Sequence, residues 1–303
     1  MQEKIRERSN LEINVLPDME DFEEETLSPE AISNPEVVKL SLREKLGIRD
    51  NDLMVVMPTR VVPRKAIEFA IEFTERLQRP EYRQELEQIG AVSGVGNAKR
   101  KFDSDGKIFL VLPQGEDLTD SQDYADALTA LAREKNVELI FAGEHVRPDS
   151  KQVGDEDQRV PFYSVYDEAD LVIYPTVGEG FGNQLLEIVK KYKLPILFEY
   201  EVFKSDILPY LPHYVSLGDT WEWSEQLQPS RAKLRVLPEE AYEKAIAKML
   251  EFLKDPEKLQ QAVAENRVSM ASQFDSKVVT QRFLQQIGVV VRNALTPSAP
   301  AVH

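Results

Sequence analysis

Val172-Ile173-Tyr174-Pro175-Thr176-Val177-Gly178-Glu179-Gly180-Phe181-Gly182-Asn183-Gln184-Leu185-Leu186-Glu187 is the stretch on which the fold turns. It continues an apolar run that begins at Ala169, and another run, Leu194-Pro195-Ile196-Leu197-Phe198, follows it. The pattern predicts a buried strand, a glycine-bearing turn, a helix and a second buried strand. Gly180 and Gly182 let a ligand approach the backbone, and the free N–H groups at the helix start favour an anion. Glu179 stands at the turn and Glu187 about two helical turns further on, a spacing that suits one extended ligand touched at both ends.

A second strand-to-helix passage lies upstream. Leu53-Met54-Val55-Val56-Met57-Pro58 reads as a buried strand, and an amphipathic helix over 66–77 places Ile67, Ala70, Ile71 and Leu77 on one face. Between them run Thr59-Arg60-Val61-Val62-Pro63-Arg64-Lys65. These cations therefore fall at the C-terminal end of a strand, where open α/β sheets bind their ligands. In a chain of formal charge −16, that local concentration stands out.

The remaining sequence repeats the alternation. Ile13–Pro17 reads as a short strand, 36–46 as a helix ending at Gly47, Ile108–Leu112 as a strand, 121–135 as a helix, Val137–Ala142 as a strand and Tyr214–Leu217 as another. From Pro238 to about Arg292 the pattern is helical, broken near Asp255-Pro256 and Phe274-Asp275. The segment 79–107 reads as an elaboration between helix and strand. Alternating strands and helices predict a doubly wound, Rossmann-like parallel sheet.

With 303 residues the chain can bury a large core, as one big domain or two small ones. It has no cysteine, which excludes disulfides and thiolate metal sites, and with three histidines no metal centre is expected. The net charge argues against nonspecific nucleic-acid binding. No signal peptide or membrane-spanning run is read, so a cytoplasmic location is expected. Trp221 and Trp223 are read as packing or loop anchors, with stacking on a sugar as the alternative, and Asp206 is a weak candidate contact.

Taken in order, Leu16-Pro17-Asp18-Met19-Glu20-Asp21-Phe22, Arg43-Glu44-Lys45-Leu46-Gly47-Ile48, the Arg60…Lys65 loop and Glu179-Gly180-Phe181-Gly182…Glu187 resemble the C-terminal half of a GT-B glycosyltransferase of the retaining family 4 type. Pro58–Lys65, with Tyr174-Pro175-Thr176 and Glu179–Asn183, is similar to a subgroup that includes mannosylglucosylglycerate synthase-like enzymes. The resemblance implies a nucleotide-sugar-binding domain over 1–292, helical from about 238, with a disordered tail over 293–303. It implies a preceding acceptor domain, expected to be absent from this chain or supplied as a separate partner. It also implies transfer of a hexosyl group from a nucleotide sugar to an unidentified acceptor; the alternative is a noncatalytic nucleotide-sugar-binding or interaction module. Arg60 and Lys65 would hold the diphosphate and Glu187 the ribose. Glu179, with Gly180, Phe181, Gly182 and Asn183, would meet the transferred sugar and distal phosphate. No cofactor and no metal are implied, the nucleotide sugar being a substrate, and no nucleophile is named. Where the family carries a small-residue loop, this chain has Phe198-Glu199-Tyr200-Glu201-Val202-Phe203.

Overall fold

Ser41 opens the first helix, α1 (Leu42–Leu46), by accepting from the Glu44 N–H while the Glu44 carboxylate accepts from the Ser41 N–H. Gly47, at φ 68°, closes it in the left-handed conformation that glycine adopts freely. The computed structural model describes residues 16–23, 41–90, 100–114, 121–148, 158–225 and 232–295, of which 288–295 are described in backbone only. After α1 come β1 (Leu53–Val56), α2 (Ile67–Leu77), α3 (Pro80–Ile89), β2 (Ile108–Leu112), α4 (Gln122–Glu134) and β3 (Glu138–Phe141). A short parallel pair, β4 (Val146–Arg147) and β5 (Val160–Pro161), leads into α5 (Phe162–Glu168). Then follow β6 (Leu171–Tyr174), α6 (Asn183–Lys190), β7 (Pro195–Leu197) and β8 (Val215–Ser216). β9 (Glu222–Trp223) pairs antiparallel with β10 (Arg235–Val236), and three helices end the described chain: α7 (Glu239–Leu253), α8 (Pro256–Phe274) and α9 (Ser276–Leu295).

Six strands form one parallel sheet in the order β3-β2-β1-β6-β7-β8. Every residue of β1, β6 and β7 is buried, as expected of a parallel sheet covered on both faces. Helices α2, α3, α4 and α7 pack with one another and with β2 and β8, whereas α5 packs with α1 and β1, and α6 with β7 and α8, which also touches α7. The winding thus reverses between β1 and β6, which lie side by side at the centre. A crevice opens at such a reversal, outside the carboxyl ends of the two strands. The loops that leave those ends are the two singled out in the sequence.

Most expected elements lie within a residue or two of their predicted bounds. The expectation for 79–107 was wrong in part, because Arg79-Pro80 starts the helix α3, with proline at a position that needs no N–H donor. Its only fully buried residue is Leu86, too sparse an apolar face to be read. α5 was not anticipated either. Ile13–Val15, residues 36–40, Gly94, Gly96 and 296–303 lie outside the described residues. Leu16 and Pro17 form no strand, and α9 continues to Leu295, past the expected end of the helical region.

The breaks at Asp255 and Asp275 stand where the sequence put them. Asp255 caps α8 by accepting from the Lys258 N–H, with Pro256 at the first turn. At the α8–α9 corner the early residues dock: the Glu20 N–H donates to Phe274 O (3.0 Å), the Ser276 N–H donates to Glu20 O (2.9 Å), and the Phe22 N–H donates to Asp275 Oδ2 (3.1 Å). Arg267 donates to the Phe22 carbonyl from α8. No described helix is long and apolar enough to cross a membrane.

Candidate functional site

A single 3₁₀ turn, Pro63–Lys65, aims two cations from the β1 loop at the β6 loop. Lys65, 3% exposed, pairs with Glu179 Oε1, and its Nζ lies 5.2 Å from the centroid of the Tyr174 ring. Arg64 pairs with Glu179 Oε2 and donates to Gly178 O at 3.0 Å. The two loops are also joined by backbone: Arg64 O accepts from the Val177 N–H at 3.0 Å and from the Thr176 hydroxyl at 3.2 Å. Thr176 shares its hydroxyl with Glu179 Oε1 at 3.0 Å. Buried threonine and lysine here serve polar bonds, which is what burial of such groups requires.

Electrostatics favour the charged form of the carboxylate. Burial pushes the Glu179 carboxyl up, but Lys65 and Arg64 together outweigh it and hold the group below its usual range. For Lys65 burial wins: desolvation, with repulsion from Arg64 and Arg60, depresses its ammonium despite Glu179. Arg60 is exposed and makes no ion pair among the described residues. Among the described residues its side-chain donors are therefore uncommitted.

The glycines divide into two kinds. A Cβ at Gly178 or at the exposed Gly180 would meet nothing within 4 Å, so that face of the turn is open to an incoming group. Gly182 is different from the sequence expectation. It sits at φ 110°, and a Cβ there would lie 2.4 Å from Tyr200 Oη and 3.1 Å from Tyr174 Oη. Tyrosine hydroxyls, rather than a ligand, account for the missing side chain. Tyr200 donates to Phe181 O at 2.6 Å and so fixes the turn, while the Phe181 ring packs edge-on against Phe274 at 5.3 Å. Asn183 is exposed at the first position of α6. Glu187 lies one face along, where Tyr166 donates to its Oε2 at 2.6 Å. Burial and the neighbouring Glu187 hold the Tyr166 hydroxyl well above its usual value, so it stays a donor.

The structure therefore brings Lys65, Glu179, Gly180, Phe181, Gly182 and Asn183 to one crevice, with Arg60 on its rim and Glu187 further along α6. Arg64 is a full member of the cluster, visible in the sequence as part of the basic loop. Thr176, Tyr166 and Tyr200 were missed; a tyrosine after β7 gives no signal of folding back onto the turn after β6. Asp206 lies half-buried in the π-helical turn Phe203–Ile207. A cavity of about 30 Å³ between Lys193 and Met249 lies at the opposite ends of β6 and β7. It has room for a water molecule and not for a nucleotide.

A doubly wound parallel sheet with a cationic two-loop cluster at its switch point defines a Rossmann-like α/β domain built to hold an anionic ligand. The chain is 31% identical over 259 residues to mannosylglucosylglycerate synthase of Petrotoga mobilis, an alignment covering 85% of this chain and 54% of that protein. It is 32% identical over 218 residues to the protein of the same name from Thermotoga maritima, covering 72% and 44%. The chain thus spans about half the length of the curated relatives it matches. Among solved structures, a glycosyltransferase from Rickettsia africae superposes with a TM-score of 0.59 at 13% identity, covering 96% of this chain and 61% of that one. No protein-family model matches. The chain belongs to the GT-B glycosyltransferases.

Proposed function

We propose that this chain is the donor-binding half of a retaining, family 4-type glycosyltransferase, which moves a hexosyl group from a nucleotide sugar to an acceptor. One observation carries the reading: the loops after β1 and β6 meet at the sheet's switch point through Arg64, Lys65 and Glu179, with Arg60 uncommitted beside them. The relatives named mannosylglucosylglycerate synthase support it.

Arg60 and Lys65 hold the diphosphate, the arginine as a planar fork and the lysine as a point charge. As the bond from the sugar to the phosphate breaks, the departing nucleoside diphosphate gains negative charge, and preorganised cations stabilise it without a metal. Glu179 keeps Lys65 and Arg64 aligned, and with the open backbone at Gly180 it borders the sugar and distal phosphate. Glu187, oriented by Tyr166, accepts from the ribose hydroxyls. The acceptor is held by a second Rossmann-like domain, in the same polypeptide or another, whose positioning of the attacking hydroxyl supplies much of the rate.

Calorimetry with UDP, GDP and the matching nucleosides tests the site. Arg60→Ala removes an exposed side chain and leaves the fold intact. It is expected to weaken the diphosphate by about 1–3 kcal/mol, the worth of hydrogen bonds to a charged group, without changing nucleoside affinity. Equal affinity of the variant and the native protein for both diphosphates would remove the loop from the site.

A further inference from the structure

Beneath the cationic turn lies a polar cluster that the donor site does not itself use. Glu68, in the first turn of α2, has a side chain only 1% exposed. Its Oε2 accepts from the Tyr124 hydroxyl, and its Oε1 accepts from Arg235 twice, from the backbone N–H at 3.0 Å and from Nη1 at 3.2 Å. Tyr124 Oη in turn accepts from the Ile67 N–H at 2.9 Å, and Arg235 Nη1 donates to Pro63 O at 2.8 Å. Two residues distant in sequence, Tyr124 and Arg235, therefore grip the chain on both sides of Lys65, and Glu68 ties them together.

The chain needs gripping there. Ala66 joins the 3₁₀ turn to α2 at φ 50°, a left-handed conformation unfavourable for a non-glycine residue, which persists only where its surroundings enforce it. Apolar side chains could fill this space, whereas a buried carboxylate is costly unless each lone pair is used. What the polar groups add is direction: Pro63 O ahead of the bend and the Ile67 N–H behind it are both fixed, which sets the backbone from which Arg64 and Lys65 reach Glu179.

We propose that Glu68, Tyr124 and Arg235 are positioning residues for the phosphate clamp, holding Arg64 and Lys65 in register with the β6 loop. This rests on the donor-site reading above. Arg235 also couples the clamp to the β9–β10 ladder, because its guanidinium lies 4.9 Å from the Trp221 ring centroid and 4.8 Å from that of Trp223. The two rings stand edge to face at 5.0 Å. They are the two tryptophans of the chain, so intrinsic fluorescence reports on this cluster directly.

The test titrates UDP, GDP, uridine and guanosine into the native protein, Arg235→Met and Arg235→Lys, following tryptophan emission and calorimetry. The native protein is expected to show a saturable emission change with a diphosphate. Arg235→Met weakens that diphosphate roughly tenfold, as for the loss of an interaction with a charged group, and loses the emission change, while its nucleoside affinity is unchanged. Arg235→Lys restores part of both. Should Arg235→Met fail to fold, Tyr124→Phe, which removes one hydroxyl, carries the same comparison. Undiminished diphosphate affinity, or equal losses for nucleoside and diphosphate, overturns the positioning role alone. A native protein that binds neither diphosphate overturns the donor site, and this inference with it.

Discussion

Gly182 shows how much one hydrogen atom in place of a side chain can decide. Its φ of 110° is strained for any other residue, and Tyr200 Oη occupies the place of a Cβ, 2.4 Å away. The same hydroxyl is bonded to Phe181 O, so it cannot retreat without releasing the turn. Gly182→Ala is expected to destabilise the protein by roughly 2–4 kcal/mol, the range for backbone strain combined with overpacking. Denaturant melts check this, beside Gly182→Ala combined with Tyr200→Phe. The double variant should recover the steric share and keep the conformational one. Gly180→Ala, with nothing within 4 Å of its Cβ, serves as the neutral reference. An unaltered midpoint for Gly182→Ala would show that the turn gives way. In the sequence both glycines look equally available to a ligand; only the fold of the loop after β7 separates them.

Between α6 and β7 the chain turns through Lys191–Lys193, and this connection stores a pH response. Lys193 is 6% exposed, donates from Nζ to Ala169 O at 2.8 Å, and makes no ion pair among the described residues. Burial pushes its ammonium down to about 8 from 10.5, against the pull of Asp170. The folded state thus binds fewer protons than the unfolded chain between these values, so stability should rise as pH goes from 8 to 10.5. The rise attributable to this group is at most about 3 kcal/mol. Lys193→Met should be more stable at pH 7 and should lose that rise, which chemical denaturation across the interval would reveal. The same slope in both proteins would assign it to other groups. Sequence marks the ends of such elements well where side chains announce them, as Gly47 and Asp255 do, but Ser41, read as lying inside a helix over 36–46, proves to be the extended residue that caps α1. It is silent where an element rests on tertiary contacts. α5 buries Phe162, Val165 and Tyr166 over seven residues, too short a run for helical periodicity to appear. The value of Lys193 is equally hidden, since nothing in Tyr192-Lys193-Leu194 says that the ammonium will be enclosed.

Across the whole molecule, alternating strands and helices made the parallel, doubly wound sheet legible, whereas the order β3-β2-β1-β6-β7-β8 and its switch point came only with the structure, since several orders satisfy right-handed crossovers. The candidate site was legible to the same extent: residues on the loops of β1 and β6 are named by their place at strand ends, whereas the Glu68–Tyr124–Arg235 support joins positions 68, 124 and 235, a pairing that no local pattern encodes. The α8–α9 corner is joined over a still greater span, Glu20 exchanging backbone bonds with Phe274 and Ser276. It has a consequence for cooperativity. Residues 16–23 contain no helix or strand of their own, so their amides are shielded only while that corner is shut. In deuterated water the amides of Glu20, Phe22 and Ser276 should therefore show one shared protection factor, set by a single opening of the corner. Loosening α9 would expose the earliest described residues as readily as the last, so that the two extremes of the described chain unzip as one foldon.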